Sequence, residues 1–145
     1  MLKKLFFLVV MALLGIQANA ALIITNNSNC TIQVRVRAHD INNTGACALR
    51  SNLITIAPGD FEMFANVSSL NTVPGWQGGT MATTAGGTTA WGWDAVEYNG
   101  VTNLIIGHPG TCAIGISGAA EDPCGADVGG HFYVVGTNTV ADFFY

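Results

Sequence analysis

The residues that could do chemistry in this chain are few, and the densest group is aromatic. Trp91-Gly92-Trp93 sets two indoles two residues apart, with Trp76, Asp94, Tyr98 and Asn99 near them in sequence. On an extended strand residues two apart share a face, so Trp91 and Trp93 form either a stacking platform or a pair of core-filling rings. As a platform, the indoles take the apolar face of a sugar ring while Asp94 and Asn99 bind its hydroxyls. As core, the rings are buried, where aromatic side chains ordinarily go. Ala95 continues the same face and favours the core. Trp76, Trp91, Trp93, Asp94, Tyr98 and Asn99 are therefore ligand-binding candidates in competition with a packing role.

A second group is cationic. Gln33, Arg35, Arg37 and His39 alternate along one stretch, which places the two guanidiniums about 7 Å apart on one strand face. Arg35, Arg37 and His39 could clamp an anion. The plainer expectation is a cross-strand charge ladder with Asp60 and Glu62, which stabilises by a few tenths of a kcal/mol. The acidic run from Glu121 to Asp127 offers three carboxylates, Glu121, Asp122 and Asp127, as weak Ca2+ candidates. It lacks the ligand alternation and final glutamate of an EF-hand loop, so a solvated turn is expected. His108 and His131 could join Asp127 in acid-base work, but no defined spacing pairs them. Ser117 sits in a near miss of the G-x-S-x-G elbow, without the strand-to-helix context that motif needs, and no catalytic residue is assigned.

These groups are positioned by strands. Ile32, Val34, Val36 and Ala38 alternate with polar residues and define a buried face. Phe61, Met63, Ala65 and Val67 form a second such face after the turn at Ala57-Pro58-Gly59, with Asp60, Glu62 and Asn66 opposite. Other candidate strands are Leu22–Thr25, Leu53–Ile56, Met81–Thr84, Thr89–Tyr98, Val101–Ile106, Cys112–Ser117, His131–Val135 and Thr139–Phe144. Glycine, asparagine and threonine punctuate them, with no helical period and no repeat. The expected fold is all-β, an antiparallel sandwich of about 8–10 short strands. A membrane barrel is the rival, prompted by the terminal Phe143-Phe144-Tyr145, but the strands are too irregular for repeated lipid-facing spans.

The first residues state where this domain works. Lys3 and Lys4 precede an apolar run from Leu5 to Ile16, and Ala18-Asn19-Ala20 has the small-x-small pattern that signal peptidase reads. Residues 1–20 are thus expected to be a cleaved leader of bacterial style and residues 21–145 a single domain, secreted to the cell surface, the medium or the periplasm. The run is too short to span a bilayer, which needs roughly 20 residues. Beyond residue 20 the cations are Arg35, Arg37 and Arg50 against nine acidic residues, a formal charge of −6 with no lysine. So few cations disfavour nucleic acid and anionic membranes as partners. In a bacterium the N-x-S/T triplets at Asn26, Asn29, Asn42 and Asn66 are chance products of an Asn/Thr-rich surface.

Four cysteines in an exported chain imply two disulfides. Three connectivities are possible; proximity favours Cys30–Cys47 and Cys112–Cys124, each worth about 3 kcal/mol. No C-x2-C pair is present and the histidines are scattered, so neither a metal nor any other cofactor is expected. The segment from Ile24 to Ile32 is similar to the first hairpin of thaumatin-like and aegerolysin-like secreted β proteins, which agrees with a β-sandwich and assigns no activity or site residue. The functional expectation is a non-enzymatic binding or surface module that recognises a glycan or a protein. The alternative is a self-assembling subunit of an extracellular fibre or matrix, and a small secreted hydrolase comes third.

Overall fold

The computed structural model describes residues 20–145; the expected leader, apart from Ala20, lies outside the described residues. Ten strands are present among them: β1 (Leu22–Asn27), β2 (Ile32–His39), β3 (Leu49–Arg50), β4 (Ile54–Ile56), β5 (Phe61–Phe64), β6 (Gly92–Asn99), β7 (Asn103–Gly107), β8 (Ser117–Glu121), β9 (Asp127–Val135) and β10 (Asn138–Phe144). They form two five-stranded sheets, a β-sandwich. Sheet A runs β5-β1-β10-β9-β8, and sheet B runs β3-β2-β6-β7 with β4 also paired to β2. All pairings are antiparallel except β1 with β10, where the N-terminal strand enters parallel to the C-terminal one.

The alternation in β2 is realised as read: Ile32, Val34, Val36 and Ala38 are at most 1% exposed. They meet Leu22, Ile24, Phe132, Ala141 and Phe143 of sheet A in one continuous core. Aromatic pairs fill its width, with Tyr98 on Phe143 at 5.7 Å and Phe64 on Trp93 at 6.5 Å between ring centroids. The residues between β1 and β2 cross from one sheet to the other, so the expected first hairpin is an inter-sheet crossover. Asn26 holds that crossover. Fully buried, its Nδ2 donates to the carbonyls of Cys30 (2.7 Å) and Ile56 (3.0 Å), and its Oδ1 accepts from the Ser28 amide and hydroxyl.

Three strand expectations are corrected. In β5 it is Phe64 that is buried, whereas Phe61 and Met63 are 53% and 45% exposed. Backbone bonds between Asn26 and both Gly59 and Asp60 set the pairing so that Phe64 faces inward beside Leu22. A one-residue phase difference reverses every side chain on a strand. Residues 81–84 form no strand, because the Asn71 side chain occupies both backbone groups of Ala82 at 2.7 Å. The span from Cys112 to Ile116 is a connection from sheet B to sheet A, touching β7 through a bridge between Ile106 and Gly115.

The disulfides are Cys30–Cys124 and Cys47–Cys112, spanning 94 and 65 residues. The expected local pairs, Cys30–Cys47 and Cys112–Cys124, are not formed, because sheet crossings rather than chain proximity bring the cysteines together. No helix among the described residues is long and apolar enough to cross a membrane. Replacing Cys30 and Cys124 together by serine removes a long loop constraint and is expected to lower the unfolding free energy by about 4 kcal/mol, measured by urea denaturation; a loss below about 1 kcal/mol would contradict this.

Candidate functional site

The cleft nearest to a ligand site opens at the end of the sandwich where β2 finishes and β6 begins. Its volume is about 430 Å3, and its walls include Trp91, Gly92, Trp93 and Asp94, with His39, His108, Ala20, Thr88, Val134, Gly136, Thr137 and Thr139. A bulge creates it. Arg37 pairs with Ala95 but Ala38 pairs with Trp93, so Asp94 is an extra residue in β6. The bulge keeps Trp93 in the core while Ala95 stands on the outer side opposite Arg37, and so separates two residues that simple alternation puts on one face.

Asp94 is the fixed point of the cleft. It is 4% exposed, and its Oδ2 accepts the Cys47 amide at 2.7 Å while its Oδ1 lies 2.8 Å from His39 Nδ1. A carboxylate only accepts, so His39 Nδ1 carries the proton and Nε2 is left for a ligand. Gly92 allows this arrangement: a Cβ there would stand 3.1 Å from His39 Cε1. The Asp94 carbonyl accepts the His108 amide at 2.9 Å, bringing a second imidazole to the cleft, where it packs edge-on against Phe132 at 5.0 Å.

Trp91 and Trp93 meet edge to face at 6.4 Å and are 4% and 3% exposed. They therefore contribute ring edges to a cleft wall and do not form an open platform. Trp93 Nε1 donates to the Ala20 carbonyl at 2.5 Å, and the Ala21 carbonyl accepts from the Thr139 amide. Thr88 and Thr137 stand exposed at the rim on separate loops.

The other candidates lie elsewhere. Trp76 is buried, with its Nε1 on the Val67 carbonyl at 3.2 Å. Tyr98 points into the core and donates its hydroxyl to Asp122. Burial pushes the Tyr98 phenol well above its ordinary range, reinforced by that hydrogen bond and by the charges of Asp122 and Tyr145. Asn99 lies at the far end of β6, its Nδ2 donating to Gln33 Oε1 at 3.5 Å. Of the six ligand-binding candidates, the cleft gathers Trp91, Trp93 and Asp94 and leaves Trp76, Tyr98 and Asn99 out.

The acidic run is dispersed. Asp122 is buried, with Oδ1 on the Cys124 amide at 2.6 Å and Oδ2 on the Tyr98 hydroxyl, whereas Glu121 and Asp127 are exposed and face each other across β8 and β9. The one cluster of three metal-type ligands among the described residues is Cys30, Asp122 and Cys124, whose sulfurs are already bonded in the disulfide. His131 faces outward against Tyr133 at 5.2 Å, while its neighbour Phe132 faces the core beneath His108. His108 and His131 thus lie on different faces of β9, because consecutive strand residues point oppositely.

The cationic face is corrected as well. Arg37 pairs not with Asp60 or Glu62, which lie in or beside sheet A, but with Glu97 at 2.7 Å; Arg50 joins the same carboxylate at 2.5 Å. Burial alone would raise the Glu97 carboxyl, but the two guanidiniums outweigh it and hold the group below its ordinary value. Asp40, next to His39, is also depressed: burial opposes ionisation, but donors from Asn42, Asn43 and Thr83 prevail. Asp40 thereby ties the loop carrying Thr88 to the end of β2.

Comparison with protein-family models, with characterised proteins and with solved structures finds no match, so this geometry carries the functional reading alone.

Because both carboxyls are depressed in the folded state, their contribution to stability is present above about pH 4 and is lost as pH falls through the folded values. Glu97→Gln leaves two guanidiniums unneutralised over a buried site and is expected to cost about 3 kcal/mol, the low end for a buried pair because both arginines are partly exposed. Denaturant unfolding at pH 6 and pH 3 checks both statements: the variant should be weaker at pH 6 and the gap should narrow at pH 3. An unchanged gap would remove the ion cluster from the acid response.

Proposed function

We propose that the chain is an exported, non-enzymatic binding module that takes a small polar ring, a glycan terminus in particular, into the cleft at the end of the sandwich. The observation that supports this most is the convergence of two indole edges, the His39–Asp94 pair, His108 and the rim threonines around one cavity of about 430 Å3. That size suits a small-molecule site, which is typically mostly apolar with a few placed polar groups. The indoles receive the apolar part of a ring, and His39 Nε2 with the rim hydroxyls meets its hydroxyls. Two disulfides fit an oxidising compartment, as the leader reading requires. Cleavage after Ala20 takes away the carbonyl that accepts from Trp93, leaving the indole N–H to a ligand.

Purified protein screened against a glycan array and followed by tryptophan fluorescence tests the proposal. A bound sugar should shift the emission, and Thr137→Trp, which narrows the rim from an exposed turn, should weaken binding about tenfold or more at unchanged melting temperature, as a lost polar contact and a steric block together imply. His39→Ala should weaken it too. Binding that survives both substitutions, or no binding by any sugar, rejects the cleft as a glycan site.

One observation favours a second reading, self-association. The outer face of sheet A exposes Phe61, Met63, Tyr133, Val135 and Phe144 at 38–54% each. Exposed apolar side chains clustered on one face mark interaction surfaces. Sedimentation at increasing concentration should then show association that Phe61→Lys with Val135→Lys abolishes; a monomer throughout discards this reading.

A further inference from the structure

The outer face of sheet B carries every lysine or arginine of the described chain. Arg35 and Arg37 project from β2, and Arg50 stands opposite Arg37 on β3. One carboxylate, Glu97, lies among them, and it is fully engaged: Arg37 donates Nε and Nη2 to Oε2, while Arg50 donates Nη2 to Oε1 and Nε to Oε2. Arg35 is the residue directly opposite Glu97 in the strand register, yet it takes no part in this network. Its Nε is buried without a hydrogen-bond partner among the described residues. Three guanidiniums around one carboxylate carry a formal +2, and the next carboxylate along these strands, Asp94, is engaged by His39 and the Cys47 amide.

Arg37 and Arg50 occupy both oxygens of Glu97 and already exceed its charge by one, so the third guanidinium adds repulsion and a burial cost without a structural return. An incoming anion relieves both. A guanidinium presents a planar fork of donors that matches a carboxylate or sulfate edge, and Glu97 holds the two neighbouring guanidiniums in place beside it. The flanking surface is a row of amides: Gln33 lies beside Asn99, and Asn103 pairs across from Asn99. Such groups both donate to and accept from hydroxyls. Arg35 and Glu97 lie on β2 and β6, which have strand partners on both sides, so a chain bound over them is not held by strand addition, the main-chain route of many peptide binders. It has too few cations for nucleic acid.

We propose that the outer face of sheet B is a binding site for an acidic polysaccharide, with Arg35 taking a carboxylate or sulfate of the chain and the Gln33–Asn99 amides its hydroxyls. This site is separate from the cleft and does not depend on what the cleft binds.

Calorimetric titration of the purified protein with oligogalacturonate, a sulfated heparin oligosaccharide and a neutral cello-oligosaccharide tests it. One or both acidic chains should bind and the neutral one should not; which of the two binds identifies carboxylate or sulfate as the group read. Arg35→Gln should weaken that binding about tenfold or more, the loss of a charge-assisted contact, with a melting temperature equal to or above that of the parent chain, since the arginine makes no ion pair among the described residues. Thr137→Trp should leave it intact. The proposal is overturned if neither acidic chain binds, if the neutral chain or an acidic peptide binds equally well, if Arg35→Gln binds like the parent, or if Arg35→Gln unfolds the domain and so reveals a structural role.

Discussion

The cleft end of this molecule depends on the placement of one carboxylate, that of Asp94. As the extra residue of a bulge it leaves the strict alternation of β6, and it is then pinned by the Cys47 amide and by His39. The amide it takes belongs to the cysteine bonded to Cys112, so the covalent link and the hydrogen bond fix the same spot. Through its carbonyl Asp94 also places His108. Without the bulge, Trp93 and Ala95 would share a face, and the indoles would lose either their core contacts or their place on the cleft wall.

The opposite end is held by different means to the same effect. Cys30, just ahead of β2, is bonded to Cys124, and beside this link Asp122 receives the Tyr98 hydroxyl while Asn26 closes the crossover from sheet A. β2 thus runs about 23 Å between two stapled ends at the usual rise per residue. Both polar clusters are buried with their hydrogen bonds made, and such satisfied networks favour one arrangement of the surrounding chain over alternatives.

Charge is distributed with the same economy. The carboxylates with depressed protonation, Asp40 and Glu97, are engaged by amides and guanidiniums, so they support the fold at neutral pH at the expense of acid resistance. Polar residues that looked equivalent in the linear chain therefore separate into those consumed by the architecture and those left over. His39 Nε2, the rim threonines and Arg35 are left over, and they lie on the surfaces where binding is proposed.

The amino-acid sequence by itself determined the all-β class, most strand positions and the core face of β2, because a period of two and turn residues are local properties that short windows carry. It also marked Trp91, Trp93 and Asp94 as worth following. Only the tertiary structure decided the disulfide partners, the inward turn of Phe64, the engagement of Glu97 by Arg37 and Arg50, and the meeting of His39 with Asp94 and His108. Each of these depends on which strands lie side by side and in what register. Register is set by contacts between residues dozens of positions apart, and a single-residue bulge or phase shift, invisible in local composition, moves every side chain beyond it to the other face.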